Sequence, residues 1–253
     1  MKNNRNGPAV FLRSPRATRI GIVLAILLLS VMGQGCAPSL VSIDRNELGQ
    51  LKDQPLIHVV HYSSPSLSAG TATSDAGLAL GGLMGAGVGI AIQRAEGEKL
   101  KAQCSLEDPS IRIRESVTDR LSAEMGITNF RLLPERLESD ELSALGTKCG
   151  NELVMDFKTD NWTLFPEPGT QWTTRRYLLV YSIRGRLIRL QDSRVMWLGY
   201  CKLNEYEAGS TGVTWDELIA NDCASLKAKI GHAVDMCAQG LTDQLIGKAA
   251  AER

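Results

Sequence analysis

The chain has 253 residues, with 28 basic and 28 acidic side chains, 43% hydrophobic residues and 22% charged ones. That balance excludes the strongly basic surface by which nucleic-acid binders attract phosphates. The charge is unevenly placed, however. Residues 1–19 carry Lys2, Arg5, Arg13, Arg16 and Arg19 and no acid, and an uncharged apolar stretch runs from Ile20 to Val31 ahead of Gly33-Gln34-Gly35-Cys36. A basic segment, a short apolar core and small residues before a cut make a secretory signal peptide over residues 1–35. The apolar core is 12 residues long, whereas a bilayer-spanning helix needs about 20. Removing the first 35 residues leaves 218; five of the 28 basic residues go with them, so 23 remain against 28 acids, a net charge of −5. This length is ample for one core and short for two ordinary domains.

A cysteine directly after the cut resembles the lipoprotein signals of bacteria, in which that thiol receives a diacylglyceryl group. Ala37 stands where Asp would retain such a lipoprotein at the inner membrane of diderm bacteria. The resemblance therefore implies lipidation of Cys36 and anchorage at the periplasmic face of the outer membrane. In an oxidising compartment the remaining cysteines, Cys104, Cys149, Cys201, Cys223 and Cys237, allow two bridges at most with one thiol over.

Residues 36–54 are polar and short-patterned and predict a tether, with a single folded domain over 55–253. Pro55 opens a β-branched and aromatic run, Leu56 to Tyr62, which predicts a strand. Asp108-Pro109 starts a helix whose apolar residues are Ile113, Val117, Leu121 and Met125, stopped by Gly126. Asn129 to Leu133 predicts a short strand ending before Pro134, and Ser139 a brief helix ending near Gly146 or Gly150. From Asn151 the period becomes two: Leu153, Met155 and Phe157 fall on one face, Asp156, Lys158 and Asp160 on the other, as in a half-buried strand. Arg176 to Ile183 is apolar on both faces, as a covered central strand is, and Val195 to Cys201 predicts a further strand. Thr214 and Glu217 form a capping box for a long helix with the stripe Trp215, Ile219, Cys223, Leu226, Ile230, Val234, Cys237, Leu241 and Leu245. This order predicts an α/β fold (an α+β sandwich): a mixed sheet with a β-meander, flanking helices and a long C-terminal helix.

Gly77, Gly81, Gly85 and Gly89 recur at every fourth position within the uncharged run 76–92. On a helix they make a groove that lets another backbone approach closely. Each glycine costs about 1 kcal/mol relative to alanine in an exposed helix, so the run predicts a helical insert whose glycine face is buried, in the monomer or between copies. No phosphate-cradling glycine pattern is present. His58 and His61, three apart in a strand, point to opposite faces and cannot chelate jointly, and no metal, cofactor or catalytic constellation is predicted. Arg175, Arg176, Arg184, Arg186, Arg189 and Arg194 face one acid in the same stretch, Asp192. They read either as a contact for an anion, lipid headgroup or cell wall, or as strand ends paired with Asp156, Asp160 and neighbours. Cys223 and Cys237 are 14 residues apart, about 21 Å along a continuous helix, too far to bridge each other; simple antiparallel packing would bring Cys223 nearer Cys201.

Asp108-Pro109-Ser110, Asn161-Trp162, Tyr177 with Tyr181, Arg186-Leu187-Ile188 and the segment from Glu217 through Cys237 resemble a family of uncharacterised bacterial lipoproteins. The order of elements over roughly 55–245 is similar to the small α/β domain of the curli-secretion lipoprotein and of the Tol-system periplasmic protein. The membrane-inserting hairpins of the curli exporter have no clear match here. The resemblance implies a disulfide between Cys201 and Cys237. The resulting expectation is a membrane-tethered, non-catalytic binding or assembly module that takes an envelope protein partner or associates with itself. A subunit of an oligomeric envelope complex or pore, built through the glycine face, is the main rival, and a periplasmic hydrolase the third reading.

Overall fold

In the computed structural model, which describes residues 40–63, 65–70, 82–170 and 175–247, seven strands form one mixed sheet with five helices around it. The signal peptide, Cys36, Gly77 and Gly81 lie outside the described residues. In chain order the elements are α1 (Arg45–Gly49), β1 (Ile57–Tyr62), β2 (Ser68–Ala69), α2 (Gly82–Gln103), α3 (Pro109–Met125), β3 (Phe130–Leu137), α4 (Leu142–Cys149), β4 (Leu153–Pro166), β5 (Arg176–Arg189), β6 (Arg194–Asn204), β7 (Val213–Thr214) and α5 (Trp215–Leu245). The sheet order is β3-β1-β4-β5-β6, with β2 on β4 and β7 on β5. β1 pairs in parallel with β3 and β4, while β4, β5 and β6 form the antiparallel meander. The architecture is α/β.

Local chemistry explains the element boundaries. Asp108 accepts the Ser110 N–H (2.9 Å) to cap α3, and Gly126 ends that helix in the left-handed conformation, φ 69°, which glycine adopts without a Cβ penalty. The Thr214–Glu217 capping box is fully formed. β3 runs on through Pro134 to Leu137, against the expected stop; as an edge strand it tolerates the missing N–H. One face of the sheet buries the larger core, where Met155, Phe157, Ile183 and Leu187 meet Ile113, Val117 and Leu121 of α3 and Leu226, Val234 and Leu241 of α5. The opposite face carries a smaller cluster, Val60, Tyr62, Val154 and Ile188, beneath Leu145 and Cys149 of α4.

Gly185 and Gly199 stand opposite each other on β5 and β6, beneath the indole of Trp197. A Cβ would meet the ring at 2.7 Å at Gly185 and 2.3 Å at Gly199, so the buried tryptophan requires both glycines.

Three expectations need correction. The stretch 36–54 is folded from Val41 onward. Val41 exchanges two backbone hydrogen bonds with Leu198 of β6 (3.2 and 2.9 Å), Asp44 caps α1, and Leu48 and Leu51 are buried in the larger core. Two apolar residues three apart suffice to seat this segment, a pattern too short to stand out in sequence.

The glycine-rich helix does not end near Ile92 but continues to Gln103, and residues 76–81 lie outside the described residues. Gly89 is buried, yet its neighbours Val88 and Ile90 are 54% and 47% exposed. A close backbone approach lies further on, at Gly97, in the same four-residue register after Gln93. A Cβ there would sit 1.7 Å from the Leu67 carbonyl oxygen. Beyond it Leu100 is buried, Lys101 lies over the Trp162 ring (5.7 Å), and Cys104 is bridged to Cys223.

The C-terminal helix is not continuous. Ala220 is extended, and Asn221, Asp222 and Cys223 are all left-handed (φ 51°, 55° and 59°). Asn and Asp tolerate this conformation best among residues with a Cβ. The break carries Cys223 into the core beside Cys104, and the buried stripe resumes with Leu226, Ile230, Val234, Cys237, Leu241 and Leu245. A second bridge joins Cys201 of β6 to Cys237, the pair that the resemblance implies, and Cys149 remains a buried thiol.

Glycine substitutions in two helices should therefore have opposite signs. Gly97→Ala should lower the urea midpoint, because the Leu67–Ser68 backbone must move to admit one methyl. Gly240→Ala in α5, with no heavy atom within 4 Å of its Cβ position, should gain about 0.5–1 kcal/mol. Equilibrium urea unfolding of the two variants measures the contrast.

Candidate functional site

Side-chain alternation along β1 sends His58, Val60 and Tyr62 to one face and Val59 and His61 to the other. Each face holds a polar cluster.

On the α4 side, Asp156 of β4 is fully buried although its strand period predicted a solvent-facing position. Its carboxylate accepts from Arg186 Nε (3.1 and 3.0 Å), from Arg186 Nη2 and from the Tyr62 hydroxyl (2.6 Å). Burial, and the carboxylate beside it, push the Tyr62 hydroxyl pKa well above its ordinary value. Arg186 also donates to the Asp140 carbonyl (2.9 Å). The Asp140 carboxylate takes Arg184 (2.5 Å) and Lys158 (3.0 Å). Burial alone would raise the Asp140 pKa, but the hydrogen bonds from Arg184 and Lys158 outweigh it and hold the carboxyl well below the usual range. Lys158 closes the cluster over the Tyr62 ring at 5.9 Å. Three cations and two carboxylates are thus fixed on β4, β5 and the loop before α4. At the other end of the same face His58 Nε2 meets Glu152 at 2.5 Å.

On the α3 side, Arg114 Nη1 donates to His61 Nδ1 (2.7 Å) and to the Leu133 carbonyl (2.8 Å). A guanidinium has no acceptor, so His61 accepts through Nδ1 and carries its proton on Nε2. Burial foremost, and the Arg114 charge, lower the His61 pKa from 6.5 to about 4. Asp108, besides capping α3, accepts from Thr159 (3.3 Å), which shares a hydrogen bond with the Tyr181 hydroxyl (3.0 Å). This ties the start of α3 to β4 and β5.

The arginine stretch is resolved in favour of pairing. Arg184 meets Asp140, Arg186 meets Asp156, Arg189 meets Asp192 and Glu47, and Arg194 meets Glu47, while Arg176 donates to the Gly212 carbonyl. Asp156 is visible as a partner in sequence; Asp140 and Tyr62 are not, because nothing in their local pattern marks them. Of the expected site residues, Cys201 and Cys237 are joined, Gly85 and Gly89 lie in α2, and Cys36, Gly77 and Gly81 fall outside the described residues.

Among the described residues no group of three His, Cys, Asp or Glu side chains is placed to hold a metal ion. A recess of about 240 Å³ lies between the α3 start and α5 and includes Glu107, Arg112 and Lys227 in its lining. Cys149 is the reverse of an activated thiol: burial and the Glu152 charge raise its pKa. The arrangement is a polar face whose three cations are paired with two carboxylates.

No protein-family profile and no curated protein sequence matches the chain. Among solved structures it is similar to the PelC dodecamer from Paraburkholderia phytofirmans, with 14% identity, 82% of this chain and 96% of that one covered, and a TM-score of 0.33. It is also similar to the hypothetical protein CT253 from Chlamydia trachomatis (9% identity, 79% and 99% covered, TM-score 0.32) and to lipoprotein GNA1162 from Neisseria meningitidis (14%, 72% and 97%, TM-score 0.24). Superpositions this loose transfer no function.

The His61 site predicts acid sensitivity. Its folded pKa lies below the unfolded value, so the unfolded chain binds more protons between pH 6.5 and about 4. Stability is complete above pH 6.5 and falls as pH drops through that window. Asp140, also depressed, adds its loss only below the ordinary carboxylate range. Urea midpoints at pH 7 and pH 5 should differ in the parent and converge in His61→Gln. On the other face, Asp156→Ala leaves Arg186 buried without its partner and should cost about 3–5 kcal/mol, against about 1–2 kcal/mol for Tyr62→Phe; denaturant titration separates the two.

Proposed function

We propose that the chain is a lipoprotein held by acyl chains on Cys36 at the periplasmic face of the outer membrane, where it serves as a non-catalytic binding or assembly module. The observation that carries this reading is the basic–apolar–small pattern that ends at Cys36. Two features support the module over a hydrolase. Arg184 and Arg186 are spent on Asp140 and Asp156, and the thiol of Cys149 is buried, with its pKa raised by that burial and by the Glu152 charge. A single acyl chain binds a bilayer marginally and two or more bind it stably, so a diacylated cysteine suits a permanent anchor.

A specific observation favours a second reading, self-association through α2. From Gly82 to Ile92 this helix carries no charge, and Val88 and Ile90 are exposed. Apolar side chains beside a small-residue stripe suit a helix that meets another surface.

Mass spectrometry of the N-terminal peptide from membrane-purified protein tests the anchor. Acylated Cys36 is expected; an unmodified Cys36 or a retained Met1 overturns the reading. Crosslinking in mild detergent then distinguishes the modes. A ladder of homo-oligomers that Val88→Asp abolishes supports assembly through α2, and a monomer that captures an envelope protein supports the binding module.

A further inference from the structure

Both ends of the folded body converge on one strand. Val41 pairs with Leu198 of β6, and two residues along that strand the Gln244 side chain brackets Tyr200, its Oε1 accepting the N–H (3.0 Å) and its Nε2 donating to the carbonyl (2.9 Å). Because the body is folded from Val41, the covalent distance to Cys36 is five residues rather than the nineteen of a tether over 36–54. Five residues span at most about 18 Å even when fully extended. The sheet is wider than that. From β6 to β3 there are four inter-strand steps, about 19 Å at roughly 4.8 Å each.

The side chains on the β6 side suit the headgroup boundary. The apolar side chain of Leu40, at the start of the body, is 61% exposed, and Tyr206, in the turn that follows β6, is 55% exposed. An amphipathic tyrosine and an aliphatic side chain suit the headgroup boundary of a bilayer. The outer surface of α3 presents exposed Arg112, Glu115 and Asp119, and that of α5 exposed Asp235; the exposed charges on the β6 side are Arg194, Lys202 and Glu207, two of them cations, which suit an anionic headgroup layer.

We infer that the protein stands edge-on to the membrane, with β6, Leu40 and Tyr206 against the lipid surface and the β3 edge turned away from it. This rests on the proposed lipidation of Cys36. It makes the β6 edge a lipid-facing surface and leaves β3 and the recess between α3 and α5 for soluble partners.

The test uses the full chain purified from membranes and reconstituted in phosphatidylethanolamine–phosphatidylglycerol vesicles that contain a nitroxide-headgroup lipid. Single cysteines are introduced by Lys202→Cys on β6 and Arg131→Cys on β3, both exposed positions, and labelled with a fluorophore. Most of the fluorescence at 202 should be lost to the nitroxide and little of that at 131. A twenty-residue Gly/Ser insertion after Ser39, which adds an end-to-end distance of about 25 Å, should restore the signal at 202. The N-terminal peptide of each sample is analysed for acylation. An unacylated Cys36 overturns the anchor and the orientation together. An acylated Cys36 with equal loss at both positions, or with a loss at 202 that survives the insertion, overturns the orientation alone. Circular dichroism on each labelled variant excludes unfolding as the source of either result.

Discussion

A carboxylate with no solvent exposure stands in the third strand of a five-strand path, and much of the architecture is arranged around it. Asp156 is directly opposite Arg186 in the β4–β5 register, and Lys158 is opposite Arg184. A slip by one residue would turn Asp156 into the apolar layer under α3 and α5 and expose Met155 and Phe157. The ion pair therefore selects the register as well as satisfying itself. Replacing a buried pair with apolar residues is often neutral for stability, whereas orphaning one partner is costly. The chemistry makes the pair a specifier of structure more than a source of stability. It also explains how a helix of only eight residues, α4, is seated over the smaller apolar cluster on this face of the sheet. Arg186 reaches the Asp140 carbonyl ahead of that helix, and Arg184 and Lys158 hold the Asp140 carboxylate, so the loop is fastened before the apolar contacts begin.

The helical layer on the other face is secured differently. α3 and α5 pack by apolar burial, and the two bridges fasten α5 to the rest at separate points, Cys237 to β6 and Cys223 to the end of α2. The second bridge spans 119 residues of sequence, the first 36. In the chain-entropy account the longer loop constrains the unfolded state more, although only logarithmically. Its geometry demands a left-handed turn through Asn221, Asp222 and Cys223 that would cost roughly 1–2 kcal/mol per residue. A local conformation this unfavourable persists only because the surrounding contacts over-determine it.

Sequence periodicity made most of the architecture legible. The helix at Pro109, the capping box at Thr214 and the period-two stretch from Leu153 each rest on a local signal: a cap, a proline or an alternation. What escaped notice were features whose cause is remote in sequence. Asp156 reads as solvent-facing because alternation alone cannot see Arg186 or the cover supplied by α4. The break in α5 was hinted at by Asn221-Asp222, poor helix formers in the middle of a stripe, but its reason is a cysteine more than a hundred residues away. The seating of Leu48 and Leu51 depends on a pocket that exists only once the sheet has formed. The glycine register predicts close backbone approach, and such approach occurs at Gly97, one charged turn beyond Gly89.

The side-chain amide of Gln244, bonded to both backbone groups of Tyr200, does the work of one residue of a missing strand. Such an edge is otherwise a template for unwanted pairing. Since Gln244 belongs to the last turn of α5, that part of β6 stays bare until the C-terminal helix has docked. Closure of this edge thus waits on the docking of α5, and proteolytic products that lack the final turn of that helix would carry an unsealed strand open to aggregation or to capture by quality control.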